Sequence, residues 1–370
     1  MLTLDGSYGE GGGSLVRVAL ALSVFTGQSF EIKNIRSGRP QPGLKAQHLE
    51  AINGLKKICN AQTNDIHLGS TELRFVPGKI KQGTFSIDIG TAGSISLLLQ
   101  AIVLPCLFAP GRITIKITGG TCGKWQASVD YLQNILLPHL QKFAEKIELK
   151  ILKRGYYPKG GGEVQLSIMP KYTESYALTD KPEASFLEKL KEIPRIFLTE
   201  QGTLEQIRGI INVSADLEEK KVAERIQHTA TNVLQRYKVP ISLRQEHAKT
   251  LSIGGEALLW AVCSKDGDVS YINPILLGAD VLLESQKKSE EIGKEVAEKL
   301  AKEIDSFCAV DPHLADMLIP FMALLPGSEI KTREVTDHSK TNIYVVEKFL
   351  PVKFAIEEKK IRVEGITDDK

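Results

Sequence analysis

Apolar residues along this chain alternate between a period of two and a period near 3.6, and the changes of period recur in a fixed order. An alternating segment ends at Asp5, and a long apolar run with helical spacing follows it. The two periods are those of a strand and a helix, so each change predicts a new element. The first stretch predicts strand 2–5, helix 14–25, strand 30–35, helix 44–58 and closing strands within 66–75.

The same βαβαββ order returns twice more. The second stretch predicts strand 85–90, helix 95–108, strand 113–117, helix 126–143 and strands 147–153 and 163–168. The last predicts helix 313–325, strand 329–334, a loop carrying His338, helix 341–350 and strands 352–356 and 360–364. The first two copies repeat at a period of roughly 80 residues, which favours duplication over a single doubly wound sheet.

The segment between the second and third copies breaks this period. Residues 170–191 are polar and charged, which predicts a linker or a surface excursion. Strand 208–214, helix 217–237 and strands 241–246 and 258–264 then predict a compact α+β insertion, and helix 289–304 returns the chain to the main body. The predicted fold class is therefore α/β (α+β), with three repeated βαβαββ units in a large domain. Its bounds are 1–183 and 280–370, and the smaller inserted domain is 184–279.

The composition is that of a soluble globular protein, with 42% hydrophobic and 25% charged residues. The first residues lack the basic and apolar blocks of a signal peptide, and the longest apolar run, 95–109, contains Gln100 and Pro105. We therefore expect a soluble intracellular protein. The five cysteines form no CxxC pair, which argues against a zinc site and a disulfide framework.

Two glycine-rich loops are the first candidates for chemistry. One spans 5–17 and opens a helix, and the other spans 154–164. Glycine lets backbone N–H groups approach an anion closely, and a helix N-terminus adds partial positive charge, so the first loop suits a phosphate. The second is equally well explained as a hairpin turn. Neither loop matches GxGxxG, and Gly123-Lys124-Trp125 lacks the features of a Walker motif.

Charged residues near the first loop extend this hypothesis. Glu10 lies inside the loop, where a carboxylate would suit Mg²⁺ beside a phosphate or would simply satisfy helix N-terminal donors. Arg36 and Arg39 bracket a glycine, and Gln47 follows at the next helix start, an arrangement suited to a triphosphate or an RNA end. A net charge of +2 does not identify the chain as a nucleic-acid binder. On charge alone, the basic residues between Lys33 and Lys57 are more simply interpreted as a solvated surface. We expect His48 to be partly exposed and not catalytic.

His338 is the best candidate nucleophile. A neutral imidazole can attack phosphorus near pH 7, and the resulting phosphoramidate is labile. Taken alone, however, a loop histidine is more often not catalytic. His313 and Asp316 lie three residues apart on one helical face, which favours a helix cap or a ligand contact over a metal site.

Together these blocks resemble the RNA 3'-terminal phosphate cyclase family over nearly the whole chain. The matching segments are Asp5-Gly6 through Gly13, Arg36-Ser37-Gly38-Arg39 with Pro42-Gly43-Leu44 and Gln47-His48, Arg154-Gly155 with Pro158 and Gly160-Gly161-Gly162, His313-Leu314-Ala315-Asp316, and His338 with Thr341-Asn342, Val345-Val346 and Phe349-Leu350-Pro351. The resemblance implies the same three-unit architecture with a smaller inserted domain.

The resemblance also implies a reaction. His338 would take AMP from ATP and release pyrophosphate, AMP would pass to an RNA 3'-phosphate, and the 2'-hydroxyl would then close a 2',3'-cyclic phosphate. Implied partners are ATP, Mg²⁺ or Mn²⁺, and RNA with a 3'-phosphate end, with no membrane. The implied location is the cytoplasm, or the nucleoplasm in a eukaryote, and the oligomeric state is open, a homodimer being one option. The implied contacts are Gln100, His313, Leu314, Ala315, Asp316 and Met317 to ATP, Arg17, Arg36, Arg39 and Gln47 to phosphates, and Glu10 to the metal.

Two departures and two alternatives accompany this resemblance. Met317 stands where some relatives carry glutamine, and Ser339 and Lys340 also differ from other members. One alternative is a cyclase-like ribosome-assembly factor without catalytic activity, which would lack the histidine. The other is an enolpyruvyl transferase, which shares the repeated βαβαββ plan but has no need of the second glycine block.

Overall fold

The computed structural model describes residues 1–9, 12–90, 92–173, 184–265 and 267–365. Within these residues the strands form four sheets of four strands each. The first sheet has the order β1-β2-β4-β3, in which β1 and β2 are parallel and the later pairs are antiparallel. Its elements are β1 (Leu2–Asp5), α1 (Gly13–Thr26), β2 (Phe30–Lys33), α2 (Ala46–Cys59), β3 (Gln62–Thr63) and β4 (Leu73–Val76).

The second sheet repeats this arrangement with the order β5-β6-β8-β7 and a parallel first pair. In this unit a π-helical segment, Leu132–Leu136, connects two short α-helices, α4 and α5, into one continuous helix. Its elements are β5 (Gly83–Asp88), α3 (Ile95–Cys106), β6 (Ile113–Gly119), α4 (Val129–Tyr131), α5 (Leu137–Leu140), β7 (Ala144–Lys153) and β8 (Gly162–Pro170).

The two remaining sheets are interleaved along the chain. After α6 (Ala184–Glu192), strand β9 (Phe197–Leu198) begins one sheet, and the chain then builds the other before it returns. The intervening sheet has the order β11-β10-β12-β13, and α7 packs against both it and α8. Its elements are β10 (Thr203–Ser214), α7 (Val222–Leu234), β11 (Ile241–Ala248), β12 (Gly255–Ser264), β13 (Ile275–Leu282) and α8 (Ser289–Ile304).

On its return the chain pairs β14 in parallel with β9, so this sheet reads β9-β14-β16-β15, the strand order of the first two sheets. Two of its helices pack against each other, and the second of them also packs on α1. The elements are α9 (Pro312–Met322), β14 (Glu329–Lys331), α10 (Asp337–Phe349), β15 (Val352–Glu357) and β16 (Lys360–Gly365).

Helix α1 lies at the centre of the molecule. Every residue from Ser14 to Thr26 is buried, and the helix packs on α2, α3 and α10. A helix that is apolar around its whole circumference is stable only when it is enclosed in this way. It ends at Gly27, whose φ of 72° is left-handed and whose N–H donates to the Ser23 carbonyl.

Comparison with the sequence predictions confirms the fold class as α/β. Helices 14–25 and 289–304 and the final hairpin are confirmed within a residue or two. Of the closing strands predicted within 66–75, only Leu73–Val76 is a strand, and its partner β3 lies earlier, at Gln62–Thr63. Strands β9 and β13 were not predicted. The prediction that His338 lies in a loop is also wrong, because α10 begins one residue earlier.

The predicted linker 170–191 falls partly on residues 174–183, which lie outside the described residues, and its last part lies in helix α6. The domain boundaries at 183/184 and 279/280 stay a prediction, although β13 runs across the second of them. Among the described residues, no helix is both long and apolar enough to cross a membrane.

Candidate active site

His338 lies at the N-terminus of helix α10, where its side chain is exposed. The helix begins at Asp337 because the Thr336 hydroxyl oxygen caps it, accepting a hydrogen bond of 3.0 Å from the Ser339 N–H. The His338 Nδ1 atom lies 3.5 Å from Oγ of Ser14, in the first turn of α1. Two helix N-termini therefore meet at this histidine, and both present partial positive charge to an anion.

A cavity opens beside His338 between helices α1, α3, α9 and α10. Its lining is mostly apolar but includes charged and polar side chains, a combination that suits a ligand with a flat apolar part and a charged part. Six of the residues predicted to form the site line it, namely Arg17, Gln100, His313, Asp316, Met317 and His338. Leu314 and Ala315 are buried within α9 and are not among the lining residues.

Arg17 and Gln100 form one polar wall of the cavity. The guanidinium Nε donates to Oε1 of Gln100 over 3.1 Å, although the two residues are 83 positions apart. Arg17 is only 7% exposed, so its charge is held in a fixed direction at the cavity that His338 also lines. A buried guanidinium with a fixed orientation is well suited to a phosphate oxygen.

Asp316 organises the start of α10. Its Oδ1 accepts hydrogen bonds from the hydroxyls of Thr336 at 2.6 Å and Ser339 at 2.5 Å, and its carbonyl accepts from Asn342 Nδ2 at 2.8 Å. Burial raises the pKa of the Asp316 carboxyl, while the bonds from Ser339 and Thr336 oppose that rise. Because these partners lie on both sides of His338, the aspartate holds the backbone that carries the histidine.

His48 packs against Gly13 of the first glycine loop, and the expectation that it would be partly exposed is wrong. The residue is fully buried, and its Nδ1 accepts a 3.0 Å hydrogen bond from the Lys45 N–H at the start of α2. A Cβ placed on Gly13 would lie 2.2 Å from His48 Nε2, so the ring fills the space beside the first glycine loop. Burial, and then the positive charges of Arg17, Arg36 and Lys45, lower its pKa to about 3.

This environment fixes the chemistry of His48. The imidazole is neutral near pH 7, and since Nδ1 is an acceptor, the proton resides on Nε2. Nε2 is buried and has no hydrogen-bond partner among the described residues, so it is a donor aimed at the glycine loop. Its position at the third residue of α2, three after the helix cap, was the sequence signal that could have identified it.

The other predicted residues occupy different positions. Arg36 lies in the loop between β2 and α2, and Gln47 is the second residue of α2. Arg36 is close enough to lower the pKa of His48, but Arg36, Gln47 and Arg39 are not among the residues that line the cavity. Glu10 lies outside the described residues. Within the described residues, no group of three histidine, cysteine or acidic side chains could hold a metal.

The second glycine loop has a structural role. Arg154 is buried and forms ion pairs with Asp130, Glu246 and Glu256, so it joins α4 to strands β11 and β12. A Cβ on Gly155 would lie 2.1 Å from the Gly162 nitrogen, which shows that these glycines permit close backbone packing. The carboxylates neutralise the arginine, and the contacts favour the turn interpretation over a phosphate site.

Comparisons with known proteins show which family the chain belongs to. A family model described as RNA 3'-terminal phosphate cyclase matches residues 8–356. The protein of that name from Archaeoglobus fulgidus is 40% identical over 351 residues, which cover 95% of this chain and 96% of the relative. Those from Pyrococcus abyssi and Methanococcoides burtonii are 39% and 40% identical, and the matches cover 95% and 97% of this chain and 93% and 97% of the relatives. The chain therefore belongs to the RNA 3'-terminal phosphate cyclase family of enzymes.

Proposed function

We propose that this protein uses ATP to convert an RNA 3'-terminal phosphate into a 2',3'-cyclic phosphodiester, with His338 carrying AMP between the two substrates. One observation carries the proposal. An exposed histidine stands at the junction of two helix N-termini, beside a cavity lined by the buried Arg17, in a member of the cyclase family.

The first step needs a neutral imidazole whose free lone pair faces the nucleotide. With the proton on Nδ1, His338 donates toward Ser14 Oγ, and the lone pair is on Nε2. Nε2 forms a bond to the α-phosphorus of ATP, the bond from that phosphorus to the bridging oxygen breaks, and pyrophosphate leaves with the electron pair. In this tautomer Ser14 orients the ring.

The surrounding residues favour the charge that develops on the phosphates. Arg17 supplies a positive charge at the cavity wall, and His48 supplies a neutral N–H donor beside the first glycine loop. Because these groups are held by burial and hydrogen bonds, little reorganisation is needed when the phosphorus changes its bonding. Arg36, Arg39 and Gln47 are proposed to bind phosphates further along the same face.

The later steps require positioning more than additional chemistry. An oxygen of the RNA 3'-phosphate attacks the phosphorus of the bound AMP, and the bond to His338 Nε2 breaks, which restores the neutral imidazole. The 2'-oxygen then attacks the activated 3'-phosphorus, AMP leaves with the electron pair of the broken bond, and the hydroxyl proton passes to solvent. The ring closure is intramolecular, which gives it a large entropic advantage.

A divalent cation is proposed to contact Glu10. The described residues contain no cluster of metal ligands. Mg²⁺ commonly takes only one or two protein carboxylates and completes its shell with phosphate oxygens and water, so a single glutamate is compatible with it. Such an ion would neutralise phosphate charge.

The experiment that tests the proposal is the intact mass of the protein after incubation with ATP and Mg²⁺ but no RNA. We expect an added mass of one AMP that is lost in acid and is absent from His338→Ala. His67→Ala is the matched control, because His67 is an exposed histidine outside the cavity. An adduct that persists in His338→Ala would contradict the assignment of the nucleophile. No adduct in the unaltered protein would favour the non-catalytic assembly factor.

A further inference from the structure

Trp125 is an exposed aromatic side chain that the reaction steps above leave unused. Its side chain is 97% exposed, and its backbone φ of 59° lies in the left-handed region, which is rare for a bulky residue. A large apolar ring that is almost fully exposed and has a costly backbone conformation requires a reason, and such conformations cluster at functional sites.

The loop that carries Trp125 is held firmly at both ends. The Val129 N–H donates to the Thr121 carbonyl over 2.9 Å and closes the loop on itself. Just before Val129, the Ser128 N–H donates to Asp280 over 2.7 Å, and the Ala127 carbonyl accepts from the Ser96 hydroxyl over 2.6 Å. The indole is therefore displayed by a fixed backbone, which reduces the entropy lost when a flat ligand stacks on it.

Trp125 stands where two cavities meet. One is the cavity beside His338 described above, and the second also contains His338 and His313 in its lining, together with Trp125 and Gln126. The first cavity encloses an apolar slot suited to the base of a free nucleotide. The ring of Trp125, by contrast, faces solvent, as suits a base that belongs to a longer strand.

The charged residues of the second cavity indicate which part of an RNA end it would accept. Four carboxylates line it, against two lysines, and they are Glu256, Asp280, Glu284 and Glu295. Both lysines of the lining are ion-paired, Lys124 with Glu284 and Lys299 with Glu295, so neither is free to bind a phosphodiester backbone. The carboxylate oxygens can accept hydrogen bonds from the amino groups of bases. This lining therefore suits a base of the RNA end better than its phosphate chain.

We infer that Trp125 stacks on the terminal base of the RNA substrate and holds the 3'-phosphate end at His338. The inference rests on the proposed function, since it names how that site binds its second substrate. Aromatic stacking is tolerant of base identity, because every base has a π face, so Trp125 would increase affinity without selecting a sequence.

Fluorescence provides the first test, because the chain has two tryptophans and the other, Trp260, is only 8% exposed. The protein without ATP is titrated with a short single-stranded RNA that ends in a 3'-phosphate. We expect the RNA to quench the emission of the unaltered protein and to leave that of Trp125→Phe, which reports Trp260 alone, nearly constant. If ATP quenches Trp125 and RNA adds nothing, the ring serves the nucleotide base and the inference is wrong.

Affinity for RNA provides the second test. We expect Trp125→Gly and Trp125→Leu each to weaken RNA binding about tenfold, which corresponds to roughly 1.4 kcal/mol. Glycine suits the left-handed backbone, and leucine keeps apolar bulk without a π face. Tyr271→Ala is the matched control, because Tyr271 is 93% exposed and lines neither cavity.

An RNA whose terminal nucleotide lacks its base should bind the unaltered protein as weakly as intact RNA binds Trp125→Gly. Equal RNA affinity in the Trp125 and Tyr271 variants would overturn the inference. Formation of the AMP adduct distinguishes failure of the proposed function from failure of the stacking role of Trp125. If the unaltered protein forms no adduct, the proposed function fails, whereas an adduct without any response of Trp125 to RNA refutes the stacking role alone.

Discussion

Acid should destabilise this protein partly through His48, and replacing that residue with glutamine should remove the effect. The pKa of His48 is about 3 in the folded protein, against 6.5 for the unperturbed side chain. A lowered pKa means that the unfolded chain takes up a proton that the native protein refuses. The stability from the neutral ring is therefore complete above pH 6.5 and is lost as the pH falls toward 3. Linkage over these values gives a loss of about 2 kcal/mol between pH 7 and pH 5.

The assay is urea unfolding at pH 7, 6 and 5, followed by far-UV circular dichroism. His48→Gln keeps an acceptor at the third residue of α2 for the Lys45 N–H but cannot be protonated, so its stability should fall by about 2 kcal/mol less over this range. His139 is buried with a similarly lowered pKa and is unchanged in both proteins, so its contribution cancels in the comparison. Parallel curves for the two proteins would refute the reasoning and show that the native state accommodates a charged His48.

Two further changes test the packing around the site and the buried ion pairs. Gly13→Ala should reduce stability by about 1–3 kcal/mol and impair AMP adduct formation, because the new Cβ meets His48 Nε2 at 2.2 Å. Gly38→Ala is the control, since a Cβ there meets nothing within 4 Å. Equal melting temperatures of the two variants would contradict the prediction. Burial raises the pKa of Glu256 from 4.5 to about 7, so the stability it confers is complete below pH 4.5 and is lost as the pH rises through 7. In urea unfolding between pH 5 and 8, the free energy of unfolding of Glu256→Gln should fall less with rising pH than that of the unaltered protein. Glu246→Gln, which alters a less buried partner of Arg154, should show the same fall as the unaltered protein.

The long periodic elements could be predicted because local pattern and burial agree in them. Helix α8 has charged residues on one face and apolar residues on the other, and its predicted bounds match the structure. Strand β9 could not be predicted, since two residues carry no period and its partner β14 lies more than a hundred residues away. The π-helical segment within the continuous helix that α4 and α5 form likewise has no signal in a pattern of apolar spacing.

Motifs predicted the candidate site better than single residues did. The blocks around Arg17, His313 and His338 identified side chains that line one cavity. His48 was misjudged because its burial depends on a contact with Gly13 in another element, whereas its position at the third residue of α2 indicates only the bond to the Lys45 N–H. Arg154 was assigned to a possible phosphate loop, and only the fold shows the three carboxylates that surround it.

The site exists because apolar helices from different parts of the chain pack against one another. Helix α1 contacts α3 and α10, and α3 contacts α9, so these contacts bring Arg17 to Gln100 and Ser14 to His338 across 83 and 324 positions. Each of these four side chains lies in the first turns of a helix or on a helix face whose direction the core packing sets. Because protein cores are close-packed, a change of volume beneath α1 must shift the distance between Ser14 and His338. The geometry around the proposed nucleophile is thus a property of the core as well as of the residues that line the cavity.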